Sequence, residues 1–216
     1  MASTPDLEQR RAALEAIADE IRQCTLCPLY TGRTHAVPGY GRVDADILFV
    51  GEGPGYHEDQ QGLPFVGQSG HYLDELLGKI GLTRAEVFIT NVVKCRPPNN
   101  RDPLPLEIDT CTTTYLHRQI AIIQPKVIAT LGRFSMGLFF PPNARITRIH
   151  GQPHRADGRI YYPLFHPAAV LRNPNLRPDM EADFKRMLDL VAAAQPEVPP
   201  PDEPEDEPPP RQLSLF

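Results

Sequence analysis

Four cysteines and three polar sequences at the ends of apolar runs are the parts of this chain able to do chemistry. Cys24 and Cys27 are separated by two residues, Cys95 follows after 67 more, and Cys111 after a further 15. A C-x2-C pair at a helix end can present two thiolates to one centre, and Cys95, just past a strand, and Cys111, on the next helix, can reach the same point. A zinc ribbon would need a second tight pair, and no histidine has zinc-finger spacing from the first pair. Four thiolates from scattered elements suit a 4Fe–4S cube, whose corners are spread more widely than one zinc ion. On spacing alone the cluster is the best fit, with zinc and unligated core cysteines as the alternatives, since free cysteine is among the most buried residue types.

The first polar sequence is Gly51-Glu-Gly-Pro-Gly55. It lacks the Lys-Ser/Thr of a phosphate loop, and Tyr56 breaks the register of a dinucleotide fingerprint. A carboxylate at Glu52 would also repel phosphate. The loop can offer backbone donors to a ligand, with Glu52 and Glu58 facing water or a developing cation. The plain alternative is a glycine-rich turn with two solvated acids. In the second sequence, Asn91 interrupts an apolar strand and is followed by Lys94-Cys95-Arg96-Pro97-Pro98. Its amide offers an acceptor and two donors, which match the N3–H and O4 edge of uracil and mismatch cytosine unless the amide flips. A buried asparagine that satisfies a neighbouring loop is the competing reading. In the third, His166 precedes Pro167, which holds its backbone extended. An imidazole there can donate to an oxygen that gains negative charge, or serve structure alone. Phe65 is either a stacking platform or core.

The elements that must position these residues alternate between strand and helix. Apolar, β-branched runs at 46–51, 87–93, 126–131 and 159–165 read as strands. Helical patterns occupy 68–80, 105–123, 134–140 and roughly 178–194, and a first helix begins near Thr4, with Leu7, Leu14, Ile17 and Ile21 on one face. This alternation predicts a three-layer α/β/α domain around a central four-stranded, mainly parallel sheet. Pro163 points to an edge position or an early end for the fourth strand. Sites in such sheets form at the carboxyl ends of strands, where all three polar sequences lie.

Apolar residues make up 41% and charged residues 23% of the 216, enough for a sizeable core and against wholesale disorder. The net charge of −5 argues at first against a nucleic-acid partner. Six acids and one base, however, fall within residues 196–216; subtracting them from totals of 27 and 22 leaves 21 acids and 21 bases in the body. A neutral body can still present a basic face. No run has the length of a membrane span and the first residues have no apolar signal region, so a cytoplasmic, nucleoid-associated protein with reduced thiols is expected. Residues 1–194 are read as the domain, and 195–211, rich in proline and acids, as a disordered linker. Residues 212–216 form a short apolar peptide.

Taken together these residues resemble the family 4 uracil-DNA glycosylases, the iron–sulfur branch of that superfamily. The matching stretches are CTLCPLY, GEGPGYHEDQQGLPFVGQSG, TNVVKCRPPNNRDP, ITRIHGQPH and FHPAAVLRNP, spread from about residue 23 to 174. Gly53 stands where the usual single-domain glycosylase has an aspartate, family 5 lacks Glu52, and the Arg/Lys-rich insertion of a further relative is missing before Cys111. Tyr56 and His57 depart from the family pattern, which commonly has acids there. The resemblance implies hydrolysis of the N-glycosidic bond of uracil in single- or double-stranded DNA, leaving an abasic site for base excision repair. A non-catalytic iron–sulfur module that recognises uracil in DNA, and a zinc-stabilised nucleotide hydrolase, are the rivals.

The resemblance also implies roles. Phe65 stacks on a flipped uracil, Asn91 reads its edge, and backbone groups around Gly53 assist. His166 donates to the uracil O2, and Glu52 or Glu58 positions water or faces the sugar cation. Glu58, or else Tyr56, walls off the thymine methyl. Leu171 or Arg172 enters the minor groove, and Arg96, Arg101, Arg145, Arg148 and Arg172 are candidate phosphate contacts. Cys24, Cys27, Cys95 and Cys111 hold a 4Fe–4S cluster of structural purpose. The final peptide, with Gln212, Leu213, Leu215 and Phe216, looks like a bacterial sliding-clamp motif carried on a linker.

Overall fold

The computed structural model describes residues 4–194. Strands β2 (Ile47–Gly51), β3 (Phe88–Asn91), β4 (Val127–Leu131) and β6 (Arg159–Leu164) are the four expected runs, and they pair in parallel. Two short strands extend this core beyond the expected four. β1 (Tyr40–Gly41) and β5 (His154–Ala156) add antiparallel edges, giving the order β1-β3-β2-β4-β6-β5. Neither is long enough to register as an alternating run in the sequence.

Alternation along β2 explains the layers. Ile47 and Phe49 point into one core with Leu73, Leu76, Phe184 and Met187, from α3 (Gln68–Lys79) and α9 (Arg177–Ala193). Leu48 and Val50 point into the other with Ile17, Ile21, Leu116 and Ile120, from α1 (Thr4–Gln23) and the region of α4 (Pro105–Cys111) and α5 (His117–Ile123). Successive side chains face opposite sides of a strand, so an all-apolar run needs cover on both. Arg10 joins α1 to α5: its guanidinium donates to the Ile122, Ile123 and Val43 carbonyls at 2.8, 2.7 and 3.2 Å. The first two are the orphan carbonyls of a helix C-terminus, where a cation is favoured.

Pro163 does not end β6, which pairs with β4 as far as Leu164. The Leu164 carbonyl accepts Gly132 N–H on the β4 side, so Pro163 faces the other side, where β5 has already ended and the Pro163 carbonyl accepts Gly151 N–H. The missing proline donor therefore falls at a local edge. The expected helix over 105–123 is continuous but not uniform. A π-helical turn, Thr112–Leu116, directly follows Cys111. The pattern at 134–140 yields only the short α6 (Arg133–Met136), while α2 (Tyr56–Gln61), α7 (Ile146–Ile149) and α8 (Pro167–Arg172) arise in segments without an apolar period. No helix among the described residues is long and apolar enough to cross a membrane. The expected linker 195–211 and peptide 212–216 lie outside the described residues.

Candidate active site and cysteine centre

Parallel pairing places the carboxyl ends of β2, β3, β4 and β6 along one edge of the sheet. Gly51 is in register with Asn91, and the pairing runs on through Val92 N–H to Gly51 O and Val93 N–H to Glu52 O, at 2.9 and 3.1 Å. A cleft of about 480 Å3 opens there, within the range of about 300–1,000 Å3 usual for small-ligand clefts. Glu52, Gly53, Glu58, Phe65, Asn91, His166 and Arg172 all line it. Leu171, on α8, is 40% exposed beside it, and Arg148, on α7, is exposed and does not line it.

Asn91 is 1% exposed, and its Oδ1 is buried with no hydrogen-bond partner among the described residues. Leaving a buried acceptor unmet costs about 1–3 kcal/mol, so this is the site's clearest mark of a missing donor. The backbone behind it is held by Lys94, itself 1% exposed, whose Nζ donates to the Asn91 carbonyl at 2.8 Å, Thr90 Oγ1 at 2.7 Å and Gln119 Oε1 at 2.8 Å. Burial pulls the Lys94 pKa down to about 8. Gly51 makes room in front: a side chain there would run into Asn91 Oδ1 and, at 2.7 Å, the Phe65 ring.

Phe65 has φ 53°, a left-handed backbone that costs a non-glycine residue roughly 1–2 kcal/mol. Glu58 helps to hold that turn. Its Oε1 accepts the Val66 and Gly67 N–H groups at 2.9 and 2.8 Å, and its Oε2 accepts Gly55 N–H at 3.1 Å, closing the first turn of α2. The carboxylate is thus committed to three backbone donors. That of Glu52 accepts no hydrogen bond from the described residues. Burial and the nearby Asp102 carboxylate raise its pKa, partly countered by Arg133.

His166 caps α8. Ala168 N–H donates to its Nδ1 at 3.1 Å, so the proton of the neutral ring sits on Nε2. Its ring lies 5.9 Å from that of Phe65. Burial, helped by the Arg172 charge, pulls its pKa from 6.5 down to about 4. The ring is therefore a neutral donor at neutral pH. The exposed mouth carries Tyr56, 54% exposed, with the Arg96 guanidinium 5.2 Å over its ring. Arg101, in contrast, spends its fork on buried Glu107 at 2.7 and 2.9 Å.

The four cysteines converge on the α1 side of the sheet. All of them line one largely apolar cavity with Ile21, Leu29, Val93 and Tyr115. Cys24 follows α1, Cys27 opens a 3-10 turn, Cys95 follows β3 and Cys111 ends α4 just before the π turn. Arg33 Nη1 donates to Cys95 Sγ at 3.0 Å. Burial raises the pKa of Cys27 and Cys95, and pushes Cys111 up to about 11, so binding a metal centre must displace protons. Among the described residues no three of Cys, His, Asp and Glu are grouped closely enough to hold a single metal ion. Scattered sulfurs around an apolar cavity, with a cationic donor on one of them, fit a larger thiolate-held centre.

Sequence reasoning named the residues of the cleft and missed their supports. Lys94 carried a signal, a lysine closing an apolar strand run. The close approach at Gly51 carried none.

Comparison with known proteins gives the family. A family model described as "Uracil DNA glycosylase superfamily" matches residues 38–191. The type-4 uracil-DNA glycosylase of Sulfurisphaera tokodaii is 49% identical over 188 residues, covering 83% of this chain and 85% of that protein. That of Archaeoglobus fulgidus is 45% identical over 85% of this chain and 96% of its own length. The type-5 uracil-DNA glycosylase of Thermus thermophilus is 30% identical over 56% and 69%.

The lowered His166 pKa has a definite sign. The unfolded chain takes up this proton below its ordinary value of 6.5 and the folded chain only near 4, so this residue subtracts stability as pH falls through that window. A nitrogen-detected NMR titration of the folded protein should show the ring neutral, protonated on Nε2, down to about pH 4. Titration near 6.5, or a proton on Nδ1, contradicts the assignment.

Proposed function

The chain belongs to the uracil-DNA glycosylase superfamily, on its type-4 branch, and from that we propose that it excises uracil from DNA by hydrolysing the N-glycosidic bond. The observation that carries this reading is the unpartnered Oδ1 of Asn91 in a cleft shared with Phe65 and His166.

A base inside a duplex is out of reach of any of these side chains, so the uracil must be extruded. Phe65 stacks on it. Asn91 Oδ1 accepts from N3–H, and its amide nitrogen donates to O4, which leaves cytosine, an acceptor at N3, mispaired. As the C1′–N1 bond breaks, its electron pair moves into the uracil ring and charge builds on O2. His166 Nε2–H, neutral and already oriented, donates there, a contact of oxyanion-hole type. The uncommitted carboxylate of Glu52 faces the sugar cation and orients water. As water oxygen bonds to C1′, Glu52 takes the proton, a task its raised pKa favours. Glu58, immobilised by three backbone donors, is assigned a positioning role and the wall against a C5 methyl. Leu171 or Arg172 on α8 is proposed to enter the minor groove, with Arg96 and Arg148 as outlying phosphate contacts.

Cys24, Cys27, Cys95 and Cys111 would hold a 4Fe–4S cluster. Bound there, it supplies a structural cross-link between the end of α1, the loop after β3 and the end of α4; hydrolysis needs no electron. The convergence of the four sulfurs on one cavity supports this. The peptide with Gln212, Leu213, Leu215 and Phe216 is proposed as a sliding-clamp contact on sequence grounds. Equal clamp binding by the full chain and its Leu215→Ala/Phe216→Ala variant would reject it.

Incubation with an oligonucleotide carrying one uracil, then alkali, should cut the strand at that position. Asn91→Ala and His166→Ala should fold and lose roughly 100-fold or more in rate, the scale of a lost transition-state donor. Intact strands after treatment with wild-type protein favour a module that binds uracil without cutting. The purified protein should be brown, with a broad band near ~400 nm from iron bound by thiolates; a colourless zinc protein removes the cluster.

A further inference from the structure

Arg84 lies outside the cleft, in the loop between α3 and β3, and no role in the reaction attaches to it so far. Its Nη2 donates to the Phe65 carbonyl at 2.7 Å and to the Pro64 carbonyl at 3.3 Å, while its Nε donates to Asp74 on α3 at 2.9 Å. The loop that presents it is itself pinned, since Glu86 accepts Thr83 N–H and Thr83 Oγ–H, both at 2.8 Å. Three independent features therefore bear on one residue with a left-handed backbone. Arg84 holds the Phe65 carbonyl, Glu58 holds the next two N–H groups, and Gly70 leaves the room in which that carbonyl sits, since a side chain at 70 would collide with it.

We infer that Arg84 is a positioning residue for uracil excision: by gripping the Phe65 carbonyl it keeps the aromatic ring over Gly51 and beside Asn91, where a flipped base must stack. The physical argument is one of strain and anchorage. A left-handed phenylalanine persists only where its surroundings over-determine it. Without the guanidinium, the 65–66 peptide can turn back toward a relaxed conformation, and that rotation carries the ring off the floor of the cleft. A planar guanidinium suits the task because it serves the carboxylate of Asp74 and two backbone carbonyls at once, with little freedom left to lose. Arg84 acts through Phe65 and touches no reacting atom.

This inference rests on the glycosylase reading, and a double-mutant cycle on the full-length protein separates the two. Uracil release from a DNA oligonucleotide is measured for wild type, Arg84→Ala, Phe65→Ala and the double variant, with kcat and KM determined separately. In the wild-type background Arg84→Ala should lower kcat by about tenfold with KM changed less, and in the Phe65→Ala background the same change should cost under about twofold. Arg84→Lys keeps one donor within reach of the carbonyl and serves if Arg84→Ala does not fold; it should lose less, again only when Phe65 is present. Equal losses in both backgrounds, or a fully active Phe65→Ala protein, overturn the role given to Arg84. A wild-type protein that releases no uracil overturns the proposed function and this inference together.

Discussion

A side-chain oxygen buried without a donor among the described residues is an unfavourable thing to build, and the carboxyl end of the sheet is arranged around one. Asn91 Oδ1 sits on the last residue of β3. Its strand is buried throughout, and its backbone is clamped by a lysine that is itself out of water. The strain at Phe65, the absent side chain at Gly51 and the fixed tautomer of His166 all make sense as consequences: they shape and polarise the space in front of this one acceptor.

Backbone N–H groups do much of the arranging. Three of them fix Glu58, Gly55 N–H at the start of α2 and Val66 and Gly67 N–H just before α3, and one at the start of α8 fixes His166. This divides the work of the two acids near the cleft. A carboxylate wired to three donors is a structural anion with little capacity left for water, whereas Glu52 has none and is raised in pKa by burial. Preorganisation of this kind is inexpensive during reaction, because the dipoles do not have to turn when charge moves.

Much of this was legible in the sequence. The parallel core of four strands followed from β-branched runs alternating with helical patterns, and the cleft followed from the rule that such sheets put sites at strand ends. Glu52, Asn91 and His166 stood out because each is polar where a strand should be handing over to a turn. The edge strands β1 and β5 were not legible, being only two and three residues long. Nor was the π turn after Cys111, which depends on packing rather than on a local signal. The division between Glu52 and Glu58 was equally hidden, since in the sequence both acids belong to one glycine-rich stretch, and only the fold, which puts Glu58 in α2, decides which of them meets backbone donors. Arg84 reads as an ordinary surface charge until its long-range partners are seen.

The most direct test of the central claim compares uracil with N3-methyluracil placed at the same position in one oligonucleotide. The methyl group removes the only donor on the edge that faces Asn91. If the buried Oδ1 is there to accept that proton, the wild-type protein excises uracil and leaves N3-methyluracil essentially untouched, while Asn91→Ala narrows the gap between them. Comparable release of both bases by the wild-type protein would mean that the unpartnered oxygen is not what recognises the substrate.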